Sequence, residues 1–251
     1  MVEHDSFAPG TPCWVDLGTV DPEASAAFYG ALFGWRCEEG PPEMGGYRMC
    51  MLRGRPVAGI GVSQNPPDWP PWWATYVAVD DADATAAAVT AAGGTVLAEP
   101  FDILDVGRMV VFADPAGHAF SVWQGRAHAG AGIVNEHGTL TWNEVLTHDL
   151  DAARRFYTTV FGWKADDGFL DDYAVFFLDD RPIGGAGVAV DGVAVGWLTW
   201  FAVGDCDAAV ASAVELGAKV LRPPETSKVG RTAIVADPAG ATFGVLTGSE
   251  G

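Results

Sequence analysis

"FYGALFGWRCEEG", residues 28–40, returns as "FYTTVFGWKADDG" at 156–168, and this repetition decides the fold. The same spacing carries Trp14 onto Trp142 and Asp16 onto Glu144. The apolar runs "PCWVDLGTVD" (12–21) and "LTWNEVLTHD" (140–149) are therefore one strand written twice, each time with an acid two residues after a tryptophan. A second pair recurs later, "GRMVVFADPAGHAFSVWQ" (107–124) and "GRTAIVADPAGATFGVLT" (230–247). Self-similarity over such a length means two homologous halves, with the Gly/Ala-rich "GRAHAGAGIVNEHG" (125–138) as the joint between them.

Each half repeats again at a shorter period. In the first, a strand ending in "TVD" leads into the helical "PEASAAFYGALFG", and "WATYVAVDD" leads into "ADATAAAVTAAGG". In the second, "WNEVLTHD" precedes "LDAARRFYTTVFG" and "LTWFAVGD" precedes "CDAAVASAVELGA". The Asp at each strand end suits an N-cap and the Gly after each helix a C-cap. Short strands are expected near 47–52, 56–63, 95–99, 107–113 and 118–124, then near 172–178, 182–188, 218–221, 229–236 and 241–247. Strand, helix, three strands, four times over, is an α+β chain and not a parallel βαβ one. The expected organisation is a tail (1–10), domain 1 (11–124), a linker (125–138), domain 2 (139–247) and a tail (248–251).

With 251 residues, 49% of them hydrophobic, the chain has material for two cores. Lys+Arg 14 against Asp+Glu 33 gives a net charge of -19, which repels phosphate backbones and anionic headgroups, so neither nucleic acid nor membrane is an expected partner. "MVEHDSFAPG" has no basic, apolar leader pattern and no run reaches a membrane span, so a soluble, cytoplasmic protein is expected. Cys13, Cys37, Cys50 and Cys206 lack CxxC spacing and read as reduced.

The helix running from Asp21 through Phe28-Tyr29 to Phe33-Gly34-Trp35, its copy in the second half, and the two "ADPAG" hairpins resemble the vicinal oxygen chelate superfamily. That superfamily includes glyoxalase I, extradiol dioxygenases and bleomycin resistance proteins; the nearer resemblance is to tandem glyoxalase-like proteins with a hydroxylase label. The resemblance implies two tandem glyoxalase-fold domains, each of two βαβββ modules curving into cup-like mixed sheets. It also implies a metal held on the concave face by His, Gln or Glu. Carried over by motif, the first-strand ligand places fall on Trp14 and Trp142. Those of the second module fall on Ala74 and Leu198, and the last-strand places on Ser121 and Gly244. The runs 56–63 and 182–188 contain no acid or His. The five histidines lie in the tail (His4), in the linker (His128, His137) or off the relevant face (His118, His148), and read as surface or capping residues. The expectation is therefore no metal and no cofactor.

Alternation puts Trp14, Asp16 and Gly18 on one face, and Trp142, Glu144 and Leu146 on its copy. Tyr76 and Trp200 join them from the second modules, with Ser121 and Trp123, or Gly244 and Leu246, from the last strands. Ten tryptophans is a high count, and "PPDWPPWW" (66–73) reads as a rim. Aromatic faces with one carboxylate suit a planar or cationic small molecule; the bland reading is that the tryptophans fill the cups as core. Asp16 and Glu144 have three readings: ion pairs with Arg108 and Arg231, anchors for a ligand, or general acid/base groups. The candidate catalytic residues are Asp16 and Glu144, and the candidate ligand-binding residues Trp14, Tyr76, Ser121, Trp123, Trp142 and Trp200. "GIG" (59–61) and "GGAG" (184–187) read as bends or close backbone approaches, "DPAG" as a turn, and "FY" and "FGW" as packing on the sheet.

The leading expectation is a protein that binds a small organic molecule, an aromatic one, in a metal-free cup, for sequestration or metal-independent conversion, as monomer or homodimer. The alternatives are a metal-dependent lyase, dioxygenase or hydroxylase of the same superfamily, and a non-catalytic scaffold.

Overall fold

The computed structural model describes residues 5–63, 69–166, 168 and 172–248. Its four helices are α1 (Pro22–Phe33), α2 (Ala82–Ala91), α3 (Leu150–Phe161) and α4 (Cys206–Glu215). Each starts at an aspartate, Asp21, Asp81, Asp149 or Asp205, whose carboxylate accepts the N–H of Ala24, Ala84, Ala152 or Ala208 at 2.8–3.0 Å. Gly34 and Gly162 end α1 and α3 in the left-handed conformation that a side chain disfavours.

The strands of the first half are β1 (Pro12–Thr19), β2 (Arg36–Glu39), β3 (Arg48–Leu52), β4 (Arg55–Val62), β5 (Trp72–Ala78), β6 (Thr95–Ile103), β7 (Gly107–Ala113) and β8 (Ala119–Gly125). Those of the second are β9 (Thr139–Thr147), β10 (Lys164–Asp166), β11 (Tyr173–Leu178), β12 (Arg181–Val188), β13 (Gly196–Ala202), β14 (Lys219–Ser227), β15 (Gly230–Ala236) and β16 (Thr242–Gly248). Two sheets result, ordered β2-β3-β4-β1-β5-β8-β7-β6 and β10-β11-β12-β9-β13-β16-β15-β14. The seams are antiparallel, β1 on β5 and β9 on β13, with Asp16 opposite Ala74 and Glu144 opposite Leu198. The two modules of one half therefore share one sheet. The polar β2 and the three-residue β10 carry no apolar alternation and escape the sequence reading.

The helical faces of the halves pack together, α1 against α4 and α2 against α3. Two matched sets of hydrogen bonds cross between them. Trp73 donates its indole N–H to the Tyr29 hydroxyl at 3.0 Å, and Tyr29 donates to Asp237 at 3.0 Å. Trp197 donates to Tyr157 at 2.9 Å, and Tyr157 to Asp114 at 3.0 Å. The FY tyrosines thus do more than pack on their own sheet, and the DPAG aspartates do more than turn a hairpin. Thr75 and Thr199, one from each half, both donate to Asn143 at 3.0 and 3.1 Å.

Several expectations are corrected. His118 is buried at this interface, its ring nitrogen 3.0 Å from Asp114, because the hairpin turns it inward between the halves. Trp73 is 1% exposed and belongs to the interface, not to a rim; residues 66–68 of that rim lie outside the described residues. Cys37 and Cys50 face each other across β2 and β3 and form a disulfide, while Cys13 and Cys206 are buried free thiols. Among the described residues no helix is long and apolar enough to cross a membrane.

Candidate ligand-binding hollows

The face of each sheet turned away from the helices is a hollow. In the first, the Asp16 carboxylate accepts the hydroxyls of Tyr76 at 3.0 Å and Tyr47 at 3.3 Å, and the Trp14 indole N–H donates to Tyr47 at 3.1 Å. In the second, the Trp142 indole N–H donates to Tyr173 at 2.8 Å, the Trp200 indole N–H donates to Glu144 at 2.9 Å, and Tyr173 is bonded to Glu144 in its turn. One tryptophan, one tyrosine and one acid therefore form the same short chain of donors twice. Burial raises the carboxyl of Asp16 to about 6, although the two tyrosine hydroxyls pull it back down. Glu144 is also held above the usual carboxylate range by burial, with Tyr173 and Trp200 offsetting only part.

Tyr47 and Tyr173 were not singled out from the sequence, yet a signal for them was present. A Cβ on Gly59 would collide with the Tyr47 hydroxyl, and one on Gly185 with that of Tyr173. The glycines of "GIG" and "GGAG" leave room for a tyrosine ring to lie flat across the strand and reach the acid. The arginines expected to pair with these acids point elsewhere. Arg108 binds Asp83 at 2.8 Å and Asp102 at 3.2 Å, and Arg231 binds Asp207. Both arginines leave the sheet on its helix side, where α2 and α4 present an acid in their first turns.

The hollows differ in what fills them. Trp14, Tyr76 and Trp123 are 4%, 7% and 6% exposed, and Ser121 lies buried beneath Tyr76. The linker supplies the filling. The His128 ring stands edge-on to Trp14 with centroids 4.6 Å apart, and the His128 carbonyl accepts the Trp123 indole N–H at 2.7 Å. His128 was read as a surface residue; it is instead held in the hollow by its own N–H, which donates to the Val106 carbonyl at 3.1 Å. Burial lowers its imidazole to about 4, and among the described residues Nε2 finds no hydrogen-bond partner. His137 accepts the Gly204 N–H at 3.0 Å and His148 is exposed, as expected; His4 lies outside the described residues.

In the second hollow Trp142, Trp200 and Leu246 are only half-buried. They surround a cavity of about 420 Å³ together with Glu144, Tyr173, Phe177 and, from β10, Asp166. One end of this face is closed by Leu146, Leu198, Ile234 and Val193. Eight mixed strands per half, two βαβββ modules per sheet and a hollow on the helix-free face define a chain with the vicinal oxygen chelate fold.

Comparison with known proteins agrees. The glyoxalase-like domain family matches residues 14–123 and again 142–246, and the chain belongs to that family. It is 42% identical over 255 residues to CFP32 of Mycobacterium tuberculosis, a protein with a provisional glyoxylase label, covering 98% of each chain. To DnrV of Streptomyces peucetius, named an anthracycline biosynthesis protein, it is 40% identical over 263 residues, covering 98% of this chain and 96% of that one. The Mn(II)-bound glyoxalase from Novosphingobium aromaticivorans superposes with a TM-score of 0.67 at 17% identity, over 96% of this chain and 83% of that one, which is a likeness of fold.

The fold family implies a divalent metal, and the residues present do not fit one. The ligand places hold Trp14, Ala74 and Ser121 in one hollow and Trp142, Leu198 and Gly244 in the other. Among the described residues lining the second cavity, Glu144 and Asp166 are the His, Cys, Asp or Glu side chains present. Among the described residues no three His, Cys, Asp or Glu stand together as a metal site would need.

Proposed function

We propose that this chain binds one planar organic molecule in its second hollow, stacked against Trp142 and Trp200 and anchored by Glu144. The observation that carries this reading is the aromatic cavity of about 420 Å³, which falls in the size range of small-molecule sites and combines an apolar wall with one buried acid. The likeness to a protein named for anthracycline biosynthesis supports a polycyclic aromatic ligand. Sequestration uses the cavity as it stands. The first hollow, with Trp14, Tyr76, Ser121 and Trp123 buried under His128, serves as packed core.

Calorimetric titration with hydroxymethylanthracene tests the reading. We expect one molecule bound per chain, with Trp142→Ala and Trp200→Ala each weakening it about tenfold or more through lost stacking area. Binding that survives both substitutions overturns the assignment. Elemental analysis of the purified protein is expected to find far less than one metal ion per chain.

The buried Glu144, its carboxyl raised above the ordinary range and facing the cavity, favours a second reading, in which the same site runs a metal-independent proton transfer. Glu144 is then the general acid/base; Asp16, whose carboxyl is also raised, stands at the matching place in the first hollow, which the His128 ring closes to substrate. Turnover of any substrate found for the site would be abolished by Glu144→Gln with affinity retained.

A further inference from the structure

The binding reading leaves the charge of the ligand undecided, and the composition of the wall addresses it. Among the described residues the cavity is lined by two acids, Glu144 deep in the hollow and Asp166 on β10, and by no Lys, Arg or His. Arg231, beside the lining Thr232, is turned to the helix side and tied to Asp207, and Arg181 and Lys228, beside the lining Pro182 and Val229, are exposed and outside the lining. Lys164, on the same strand as Asp166, is exposed and outside the lining. Three aromatic side chains, Trp142, Tyr173 and Trp200, stand around the acid. From the geometry we infer that the second hollow selects a planar molecule bearing a positive charge, with Glu144 as its counter-ion and Asp166 guarding the mouth.

Four physical effects act in the same direction. Aromatic faces attract a cation and give an anion nothing. A carboxylate offers about four acceptor positions, and the bonds from Trp200 and Tyr173 leave some free for a ligand N–H. In the dry interior an anion placed against Glu144 meets a like charge with little screening, so the site excludes acids as strongly as it draws amines. The net charge of -19 extends that preference beyond the cavity.

A proton linkage follows. Burial raises the carboxyl of Glu144 above its ordinary range and an arriving cation favours the ionised form, so at pH values where Glu144 carries a proton binding expels it. Among the described residues the other titratable groups in the lining are Asp166 and Tyr173, and Tyr173 is pushed well above its ordinary range by burial and by Glu144 itself. Affinity for the cation should therefore rise with pH and level off once Glu144 is ionised.

The test uses three probes with one ring system, aminomethylanthracene, hydroxymethylanthracene and anthracenecarboxylate, titrated into the intact chain by quenching of tryptophan fluorescence. The amine should bind about tenfold tighter than the alcohol at low salt, lose that advantage as salt is added, and bind far tighter than the acid. Glu144→Gln should abolish the preference for the amine, the ratio of amine to alcohol affinity falling from about tenfold to about one, and Asp166→Asn should have a smaller effect of the same kind. Circular dichroism shows whether each variant is folded, and the salt series on the unaltered chain needs no variant. An alcohol that binds as tightly as the amine, in a manner that depends on Trp142, overturns the charge selection and leaves the site standing. Failure of all three probes, or binding indifferent to Trp142→Ala, overturns the site itself and the inference with it.

Discussion

The ring of His128 stands edge-on to Trp14 inside the first hollow, 4.6 Å between centroids, so a residue of the linker occupies the space a ligand would take. Its Nε2 is buried with no partner among the described residues, and burial holds the imidazole neutral down to about pH 4. The plug therefore sacrifices some stability to stay where it is.

His128→Leu keeps the volume and removes the orphan nitrogen. The folded imidazole titrates near 4 against about 6.5 when unfolded, so between those values the unfolded chain binds more protons and stability falls as pH falls. Relative to the unaltered chain, the leucine variant should gain about 1 kcal/mol at pH 7 and about 3 kcal/mol more by pH 4. Urea melts at the two pH values check this; a constant difference would mean that the ring is solvated. His128→Gly, which empties the space, should add a second and weaker site for hydroxymethylanthracene, counted by calorimetry.

Asp16 carries the opposite linkage. Its carboxyl titrates at about 6 folded against 3.8 unfolded, so the folded chain binds the extra proton between those values and stability falls as pH rises through them. Asp16→Asn cannot ionise and still accepts from Tyr76. It should match the unaltered chain below pH 4 and exceed it by about 2–3 kcal/mol at pH 7, an upper figure because Asp16 retains some surface. Thermal melts that show no growing advantage from pH 4 to 7 would mean that a ligand or solvent keeps Asp16 charged.

The glycines under the tyrosines give a third prediction. Gly185→Ala should displace Tyr173, break its bond to Glu144 and shrink the cavity, costing about 1–3 kcal/mol and weakening hydroxymethylanthracene by more than tenfold. Gly59→Ala should cost a similar amount through Tyr47 and leave binding unchanged, because the first hollow is already closed. Equal effects on binding would place the ligand in both hollows.

How much of this was legible follows from what local patterns can encode. Repetition exposed the two halves, the aspartate caps and the faces carrying Trp14, Asp16, Trp142 and Glu144, because strand alternation and capping are read within a few residues. The seam between β1 and β5 and the Tyr29 to Asp237 bond were not legible, since they join residues far apart that no local pattern relates. Arg108 and Arg231 were assigned to the wrong face because "GR" marks a place along a strand without saying which side of the sheet offers a carboxylate. His128 escaped for a related reason: linker composition gives no sign that one ring will fold back between Trp14 and Trp123.

The two interface tyrosines make matched bonds to acids whose carboxyls are shifted in opposite directions. At Asp114, burial alone would raise the carboxyl, but the His118 ring and backbone N–H and the Tyr157 hydroxyl outweigh it and hold it below its usual value. At Asp237, burial wins over the Ala241 N–H and the Tyr29 hydroxyl, and the carboxyl stays above its usual value; Ala241 occupies the hairpin position of His118 and has no ring to help. A hydrogen bond to an ionised acceptor is worth about 1.5–3 kcal/mol and to a neutral one about 0.5–1.5. As pH falls Asp237 takes its proton before Asp114, so in mild acid Tyr157→Phe should destabilise the chain more than Tyr29→Phe, by about 1 kcal/mol, and adding His118→Ala should erase most of that gap. The depressed pKa of Asp114 contributes stability that is fully present above about pH 4 and is lost as pH falls below it, so the Tyr157→Phe penalty should shrink in acid. A double-mutant cycle of His118→Ala with Tyr157→Phe, read by urea melts, should show coupling well above its error. Additive losses would mean that the two side chains act on Asp114 independently and that the imidazole does not set the strength of the tie between the halves.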